Sequence, residues 1–451
     1  MGRLFGNDGI RGIAVKELTC ELAMQVGRAL GSLLRERTKG RPVVLVGKDT
    51  RLSSDVLEGA LNAGICASGC DVRTLGVIPM PAVAYLTKST TAMAGVMITA
   101  SHNTMEFNGI MLFGADGAKL PAEDEAALES RILDHPELLR ITAGTSVGRI
   151  LPLPDGVELY LSHIVSLVPD RLDGLRLAVD CANGCTCTTA AALFTRLGAQ
   201  VTLVNAAPDG FNINQDCGST HIDRLMNYVA QGGFDAGLAF DGDGDRCLAV
   251  DETGELVDGD KLIAIVAKDY KDSGKLSRDA VVVTVMSNLG FTSFAKEAGI
   301  RRITANIGDR YVLEKMIDGG YNLGGEQSGH IFFLDDATTG DGQLSGARVL
   351  EIMHRTGKRL SELASIMRRF PQVMINVKIP EYMRENWKND EEICRVIDQC
   401  EEQLGDAGRI LVRESGGAPF IRVMIEGKDF DQINAIAMQI SDKIRERIAE
   451  A

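Results

Sequence analysis

The sequence predicts an α/β protein of several domains, and three observations carry that expectation. Short apolar runs end in polar, often glycine-containing loops and lead into amphipathic helices, the rhythm of βαβ units. This rhythm is set, broken by a loose stretch near Thr142 to Asp155, and then resumed twice. At 451 residues the chain is also too long for one core, since cores rarely grow past about 250 to 300 residues.

The elements follow in order. Val43 to Val46 reads as a buried parallel-type strand that stops at Gly47; the polar turn Lys48 to Arg51 comes next, and Ser54 or Asp55 can cap a helix. That helix shows its buried face at Leu57, Ala60, Leu61, Gly64 and Ile65, the three-four spacing of an amphipathic segment. Strands follow at Val72 to Val77 and Ala94 to Thr99, the second running into Ala100-Ser101-His102-Asn103. A second unit has strands at Leu175 to Val179, Val201 to Val204, Ala236 to Phe240 and Cys247 to Val250. A third has strands at Val281 to Val285 and Arg302 to Ala305, a helix opened by Gly308-Asp309-Arg310, and the loop Gly324 to His330 before apolar Ile331 to Leu334. From Met374 an alternating strand, a helix around Glu391 to Leu404, strands Ile410 to Val412 and Ile421 to Ile425, and a last helix from Asp431 read as a smaller α+β module.

Composition narrows the function. A net charge of −14 argues against a generic nucleic-acid or anionic-membrane binder, so an anionic substrate needs a local basic pocket. Met1 to Phe5 lacks a secretory apolar region, no run approaches the roughly 20 residues that span a bilayer, and a cytoplasmic protein is expected. Met1-Gly2 is not read as a myristoylation signal, because Gly6 stands where that motif wants Ser or Thr. The ten cysteines show no disulfide framework, and Cys181, Cys185 and Cys187 lack the paired spacing of a zinc site, so they read as buried thiols.

The strongest chemical signal is Asp241-Gly242-Asp243-Gly244-Asp245-Arg246. Three carboxylates at alternate positions can turn toward one hard divalent cation, and the glycines let the backbone curl around it. A calcium EF-hand loop is a partial match, with Glu252 at its twelfth position, but Arg246 replaces the turn glycine and the flanks read as strands. A solvated acidic turn is the plainer alternative. Arg246 can hold a phosphate beside the metal. Ser101, beyond a strand's carboxyl end, sits where a reactive hydroxyl is useful, though Ser101 and Asn103 alone also suit a hydrogen-bonded turn. Phe5 to Gly12 presents Arg11 to an anion. Arg413 to Pro419, with Arg422 close behind, offers guanidiniums, the Ser415 hydroxyl and backbone amides such as that of Gly416, the parts of a phosphate cradle or of a plain hairpin turn.

Taken together and in this order, the loops resemble those of the α-D-phosphohexomutase superfamily over essentially the whole chain. Phe5 to Gly12 is similar to that family's opening loop, Thr99 to Asn103 to its phosphoserine loop, Asp241 to Arg246 to its magnesium loop, Gly325 to His330 to its sugar loop, and Arg413 to Pro419 to its phosphate loop. Gln327, Asp216 to His221 and Gly308 to Val312 look more like the glucosamine branch than the mannose or glucose branches.

The resemblance implies three related α/β domains with mixed sheets and a smaller C-terminal α+β domain around a central cleft, with boundaries at 1–148, 149–256, 257–368 and 369–451. It implies interconversion of glucosamine 6-phosphate and glucosamine 1-phosphate, with Ser101 carrying the phosphoryl group and a bisphosphorylated sugar as intermediate. Magnesium would be held by Asp241, Asp243, Asp245 and phosphorylated Ser101, with a hexose 1,6-bisphosphate as activator. Arg246 and Arg11 would add positive charge, Glu326 and Ser328 would bind sugar hydroxyls, and Arg413, Ser415, Gly416 and Arg422 would hold the resting phosphate. His102 and His330 each suit either proton transfer or positioning. The partner is a small phosphosugar, with no nucleic acid or membrane, and a homodimer stays open.

Six positions depart from the family pattern. Asn7 replaces Thr in the opening loop, Thr104 replaces Pro after the phosphoserine, and Met111 replaces a lysine expected near the reacting phosphate. In the last loop Gly417 and Ala418 remove a hydroxyl and a carboxylate, and Glu414 adds a negative charge. Lys119 looks like a different lysine of the pattern, not a substitute for the one missing at 111. A catalytically impaired paralogue with a binding or regulatory role, or a mutase for another phosphohexose, are the alternatives these departures raise.

Overall fold

The structure, a computed structural model, describes residues 2–6, 8–380, 386–405, 408–414 and 420–450. Strands β1 (Ile10–Ile13), β2 (Val43–Lys48), β3 (Asp71–Val77), β4 (Ala94–Ile98), β5 (Phe107–Gly114) and β6 (Ile150–Pro152) form a six-stranded sheet in the order β1-β5-β4-β2-β3-β6. A second sheet runs β11-β10-β9-β7-β8, from β7 (Arg176–Asp180), β8 (Gln200–Val204), β9 (Ala236–Phe240), β10 (Cys247–Asp251) and β11 (Leu256–Val257). A third runs β13-β12-β14-β15, from β12 (Ala280–Thr284), β13 (Arg301–Ala305), β14 (Leu323–Gly325) and β15 (Ile331–Phe333).

These three sheets share one plan. In each, a parallel core is followed by an antiparallel return: β4 pairs parallel with β2 and antiparallel with β5, β9 parallel with β7 and antiparallel with β10, β14 parallel with β12 and antiparallel with β15. The central strands β4, β9 and β12 are buried on both faces, which is why they read as continuous apolar runs. Val44, Val46 and Val96 are wholly buried, and each such side chain contributes roughly 1.5–3 kcal/mol.

Residues 1–286 and 300–366 form one compact unit containing these three sheets. The other unit joins 287–299 to 367–451. In it β16 (Gln372–Lys378), β17 (Gly408–Glu414) and β18 (Phe420–Gly427) make an antiparallel sheet in the order β16-β18-β17, as the alternating Met374 to Ile379 pattern predicts. Its core sets Val377, Ile421, Val423 and Ile425 against Ile433, Ile436 and Ile440 of the last helix. Buried Asn288 and Glu426 are hydrogen-bonded at 3.2 Å within this unit.

Two local expectations are corrected. The helix after β2 spans Leu52–Ala67 and begins behind Arg51 with no side-chain cap; Ser54 is occupied otherwise, donating to Asp49 at 2.8 Å. The glycine-rich opening segment, which reads as a turn presenting Arg11, leads into a strand, Ile10–Ile13, paired with β5, itself unforeseen. Among the described residues no helix is long and apolar enough to cross a membrane.

Candidate active site

The shared plan of the three sheets explains where the site lies. The loop between β4 and its return β5 carries Ser101, that between β9 and β10 carries Asp241 to Arg246, and that between β14 and β15 carries Glu326 to His330. All three are the same structural position in related units, and all lie in the first compact unit.

Asp241, Asp243 and Asp245 are 1%, 0% and 5% exposed, and their oxygens lie within 4.8 Å of one another. Burial this deep excludes the solvated-turn reading, and strands on both flanks exclude the EF-hand. Both oxygens of Asp243 and Oδ1 of Asp245 are buried without a hydrogen-bond partner. Burial, then the neighbouring Asp245 and Asp241, pushes the Asp243 carboxyl well up. Buried carboxylates crowded in this way call for a cation, and an all-oxygen donor set suits a hard divalent one.

Ser101 meets this triad directly. Its Oγ donates to Asp241 Oδ2 at 2.6 Å and lies 3.3 Å from His102 Nδ1. Ser101 holds φ +49°, a left-handed conformation that costs a non-glycine residue on the order of 1 kcal/mol or more. The surroundings compensate. Thr99 Oγ1 accepts from the Ser101 amide at 2.9 Å, Asn214 Nδ2 donates to the Ser101 and Asn103 carbonyls at 2.8 Å each, and Arg51 Nη2 donates to the same two at 3.1 and 2.8 Å. Arg51 Nη1 also donates to the carbonyls of Thr104 and Phe107. Its charge is matched by Asp49, 2.7 Å away, and neither side chain reaches solvent. Departing Thr104 therefore sits in a loop fixed through its backbone.

Arg246 and His330 form an antiparallel bridge that joins the Asp241 to Arg246 loop to the Glu326 to His330 loop. Arg246 Nε stands 3.8 Å from Asp245 Oδ1, and the Arg246 amide donates to Asp241 Oδ1 at 3.2 Å. His330, 2% exposed, places Nδ1 3.3 Å from Asp245 Oδ2 and Nε2 4.0 Å from Asp309 Oδ2. Burial works against a proton on His330, but the two carboxylates outweigh it and raise its affinity. His102 goes the other way: burial, then Arg246, pushes it down to about 4, so it is neutral at pH 7.

Glu326 Oε1 accepts from the Gly308 amide at 3.1 Å, which fixes its carboxylate, and Ser328 is exposed. Gln327 turns aside, donating to Asp258 at 3.3 Å. Arg11 lies on β1 with Nη2 3.5 Å from Asp8 Oδ2. Met111 is a buried strand residue, 4% exposed, facing Met97 across β4 and β5.

Lys119 takes on a place that its sequence position does not announce. Its Nζ pairs with Asp309 and lies 3.7 Å from Asp8 Oδ1, completing a chain of alternating charge from Arg11 through Asp8, Lys119, Asp309 and His330 to Asp245. Burial raises the Asp309 carboxyl, but Lys119 and His330 overcome this and hold it at about 2. A cavity of about 210 Å³ opens beside Lys119, Asp309 and His330, walled by Leu120, Leu313 and Phe332.

Arg413 and Arg422 belong to the other unit, where β17 and β18 place them directly opposite each other. Burial, then Arg422, lowers the Arg413 guanidinium, and Arg422 Nε donates to Asn376 at 2.9 Å. Two guanidiniums in register suit an anion. Ser415, Gly416, Gly417, Ala418 and Asn7 lie outside the described residues.

Sequence reasoning passed over Arg51, Asn214 and Asp309. The signal for Arg51 was an Asp-x-Arg turn directly after a buried strand; Asn214 carried none.

The chain belongs to the phosphoglucomutase/phosphomannomutase family, matching its alpha/beta/alpha domain I over residues 2–138, domain II over 158–254, domain III over 258–370 and C-terminal domain over 374–443. Within that family it is 49% identical over 448 residues to the phosphoglucosamine mutase of Acetivibrio thermocellus, covering 99% of this chain and 100% of the relative. It is 48% identical to that of Clostridium novyi, covering 99% of each. Among solved structures, a phosphoglucomutase/phosphomannomutase family protein from Burkholderia thailandensis superposes with a TM-score of 0.82 at 24% identity, over 97% of each chain. Aspergillus fumigatus N-acetylphosphoglucosamine mutase, in complex with GlcNAc-6P and magnesium, does so with a TM-score of 0.68 at 17% identity, over 99% of this chain and 96% of that one.

Proposed function

We propose that the chain is a phosphosugar mutase interconverting glucosamine 6-phosphate and glucosamine 1-phosphate through a phosphoserine and a bisphosphorylated sugar. The single observation that carries this reading is the 2.6 Å hydrogen bond from Ser101 Oγ to Asp241, a hydroxyl set against three buried carboxylates. The full-length relatives named phosphoglucosamine mutase support the substrate.

Asp241, Asp243 and Asp245, with an oxygen of phosphorylated Ser101, would hold magnesium. When bound, it supplies Lewis-acid neutralisation of the phosphoryl oxygens. The protein's own groups do the rest. The phosphoryl group leaves Ser101 for one sugar hydroxyl, giving the bisphosphate; the sugar reorients, and its other phosphoryl group returns to Ser101. Arg51 and Asn214 keep Ser101 in its strained conformation, ready for in-line transfer. Arg11 and Arg246 offset the charge that develops, and Glu326 and Ser328 orient the sugar. His102, neutral and beside Ser101 Oγ, suits positioning, whereas His330 between two carboxylates suits proton movement at the sugar hydroxyl. Arg413, Ser415, Gly416 and Arg422 would bind the stationary phosphate.

The proposed domains are 1–148, 149–256, 257–368 and 369–451, the proposed site of action the cytoplasm, and a hexose 1,6-bisphosphate the activator. The impaired-paralogue reading is not favoured, because Ser101 and the carboxylates meet and Lys119 brings an amine into the same charged chain. Purified protein given magnesium, a hexose 1,6-bisphosphate and glucosamine 6-phosphate is expected to form the 1-phosphate, and Ser101→Ala to form none. Absence of turnover by folded wild-type protein would overturn the proposal.

A further inference from the structure

We propose that Tyr160 is a positioning residue for the Asp241 to Arg246 loop, holding through Asp341 the helix whose first amide grips that loop. The role rests on the metal-holding part proposed for Asp241, Asp243 and Asp245. Tyr160 lies on helix Gly156–Leu167 and reaches no solvent, and Asp341 is buried with it. The Tyr160 hydroxyl donates to the Asp341 carboxylate, 3.1 and 3.0 Å from its two oxygens, across 181 residues of chain. Packing alone accounts for a buried ring, but a hydroxyl set on a buried carboxylate is a directed contact.

Asp341 caps helix Gly342–Thr356, its Oδ1 accepting from the Leu344 amide at 3.0 Å. The next amide, that of Gly342, donates to the Gly244 carbonyl at 3.1 Å. Met80, the first residue of helix Met80–Ser89, donates its amide to the Asp243 carbonyl at 2.8 Å. The first amides of a helix have no partner within it, and here two helices place them on consecutive carbonyls of the loop. Those carbonyls lie between Asp243 and Asp245, so their placement sets how the two carboxylates converge. The helix that carries Tyr160 is tied to both others: its His163 ring stacks on Tyr85 of helix Met80–Ser89 with centroids 4.0 Å apart, and Tyr160 holds the start of helix Gly342–Thr356.

Close approach leaves this linkage little slack. A Cβ on Gly342 would stand 2.4 Å from the Arg246 carbonyl oxygen, and one on Gly340 would stand 2.3 Å from His330 Nε2. Asp341 is therefore set between two glycines, one against each loop of the site. Loss of the Tyr160 hydroxyl takes a donor from a buried carboxylate and frees the helix start to shift. A divalent ion needs its oxygen ligands at fixed distances, so a loop released in this way binds it less tightly.

The test titrates the full-length protein with Mn2+, a hard divalent probe, and reads the free ion by electron paramagnetic resonance. Wild-type protein should bind an ion that Asp243→Asn does not. Tyr160→Phe should raise the dissociation constant about fivefold. In an Asp341→Ala background the same change should have no further effect, since the hydroxyl acts through that carboxylate. Tyr160→Phe protein that unfolds at lower urea yet binds Mn2+ as the wild type does would make the tyrosine a packing residue and overturn the proposal, as would equal effects with and without Asp341. A wild type that binds no Mn2+ would overturn the role of the three aspartates as well.

Discussion

Arg51 lies beneath Ser101, its Nη2 donating to the Ser101 carbonyl oxygen at 3.1 Å while Asp49 holds its Nε at 2.7 Å. A lysine keeps the charge but not the planar fork that reaches several carbonyls at once. Arg51→Lys is expected to destabilise the fold by roughly 1.5–3 kcal/mol for each charge-assisted bond to a carbonyl that is lost, and to lower kcat with the loop released. Urea unfolding beside a turnover assay checks both.

The pair Lys119 and Asp309 is equally exposed to test. Lys119→Met leaves a buried carboxylate unmatched and should cost about 3–5 kcal/mol, whereas Lys119→Met with Asp309→Asn should recover a large part of that loss. A loss in the double variant equal to the sum of the Lys119→Met and Asp309→Asn losses would show that the two groups are not coupled.

Met111→Lys addresses the missing lysine. With Lys119 already in the charge chain that ends at Asp245, kcat/KM is expected to change by less than about tenfold, roughly 1.4 kcal/mol. A larger gain would mean that the methionine is a true catalytic loss.

Asp341 gives a pH-dependent prediction. Burial raises its carboxyl from 3.8 to about 6, despite hydrogen bonds from the Leu344 amide and Tyr160. Between those pH values the folded protein keeps a proton that the unfolded chain has lost, so stability falls as pH rises through the window. Asp341→Asn mimics the protonated form and keeps the bonding pattern. Its stability relative to wild type should therefore grow by up to about 3 kcal/mol from below pH 4 to above pH 6, measured by denaturant titration. A constant difference would contradict the assignment.

The residues that bear charge at the centre were legible because their spacing is local: Asp241, Asp243 and Asp245 alternate, and Ser101 follows a buried strand. Helix Glu391–Leu404 and strand Ala236–Phe240 were equally plain, since apolar periodicity carries both. The antiparallel return of the first unit was not. β5 contains polar Asn108 and two glycines, and its burial follows from pairing with β4 and β1, which no local pattern records. Arg51 and Asn214 escaped for a related reason: each acts on backbone carbonyls remote in sequence, and a carbonyl has no sequence signature. The place of Lys119 depends on Asp309, 190 residues away.

The most direct measurement is the intact mass of the protein after incubation with a hexose 1,6-bisphosphate and magnesium. One added phosphate, mapped to Ser101 and absent in Ser101→Ala, is the predicted result. An unchanged mass in protein that converts the sugar, or a phosphate that persists in Ser101→Ala, would contradict the role given to the serine that meets Asp241.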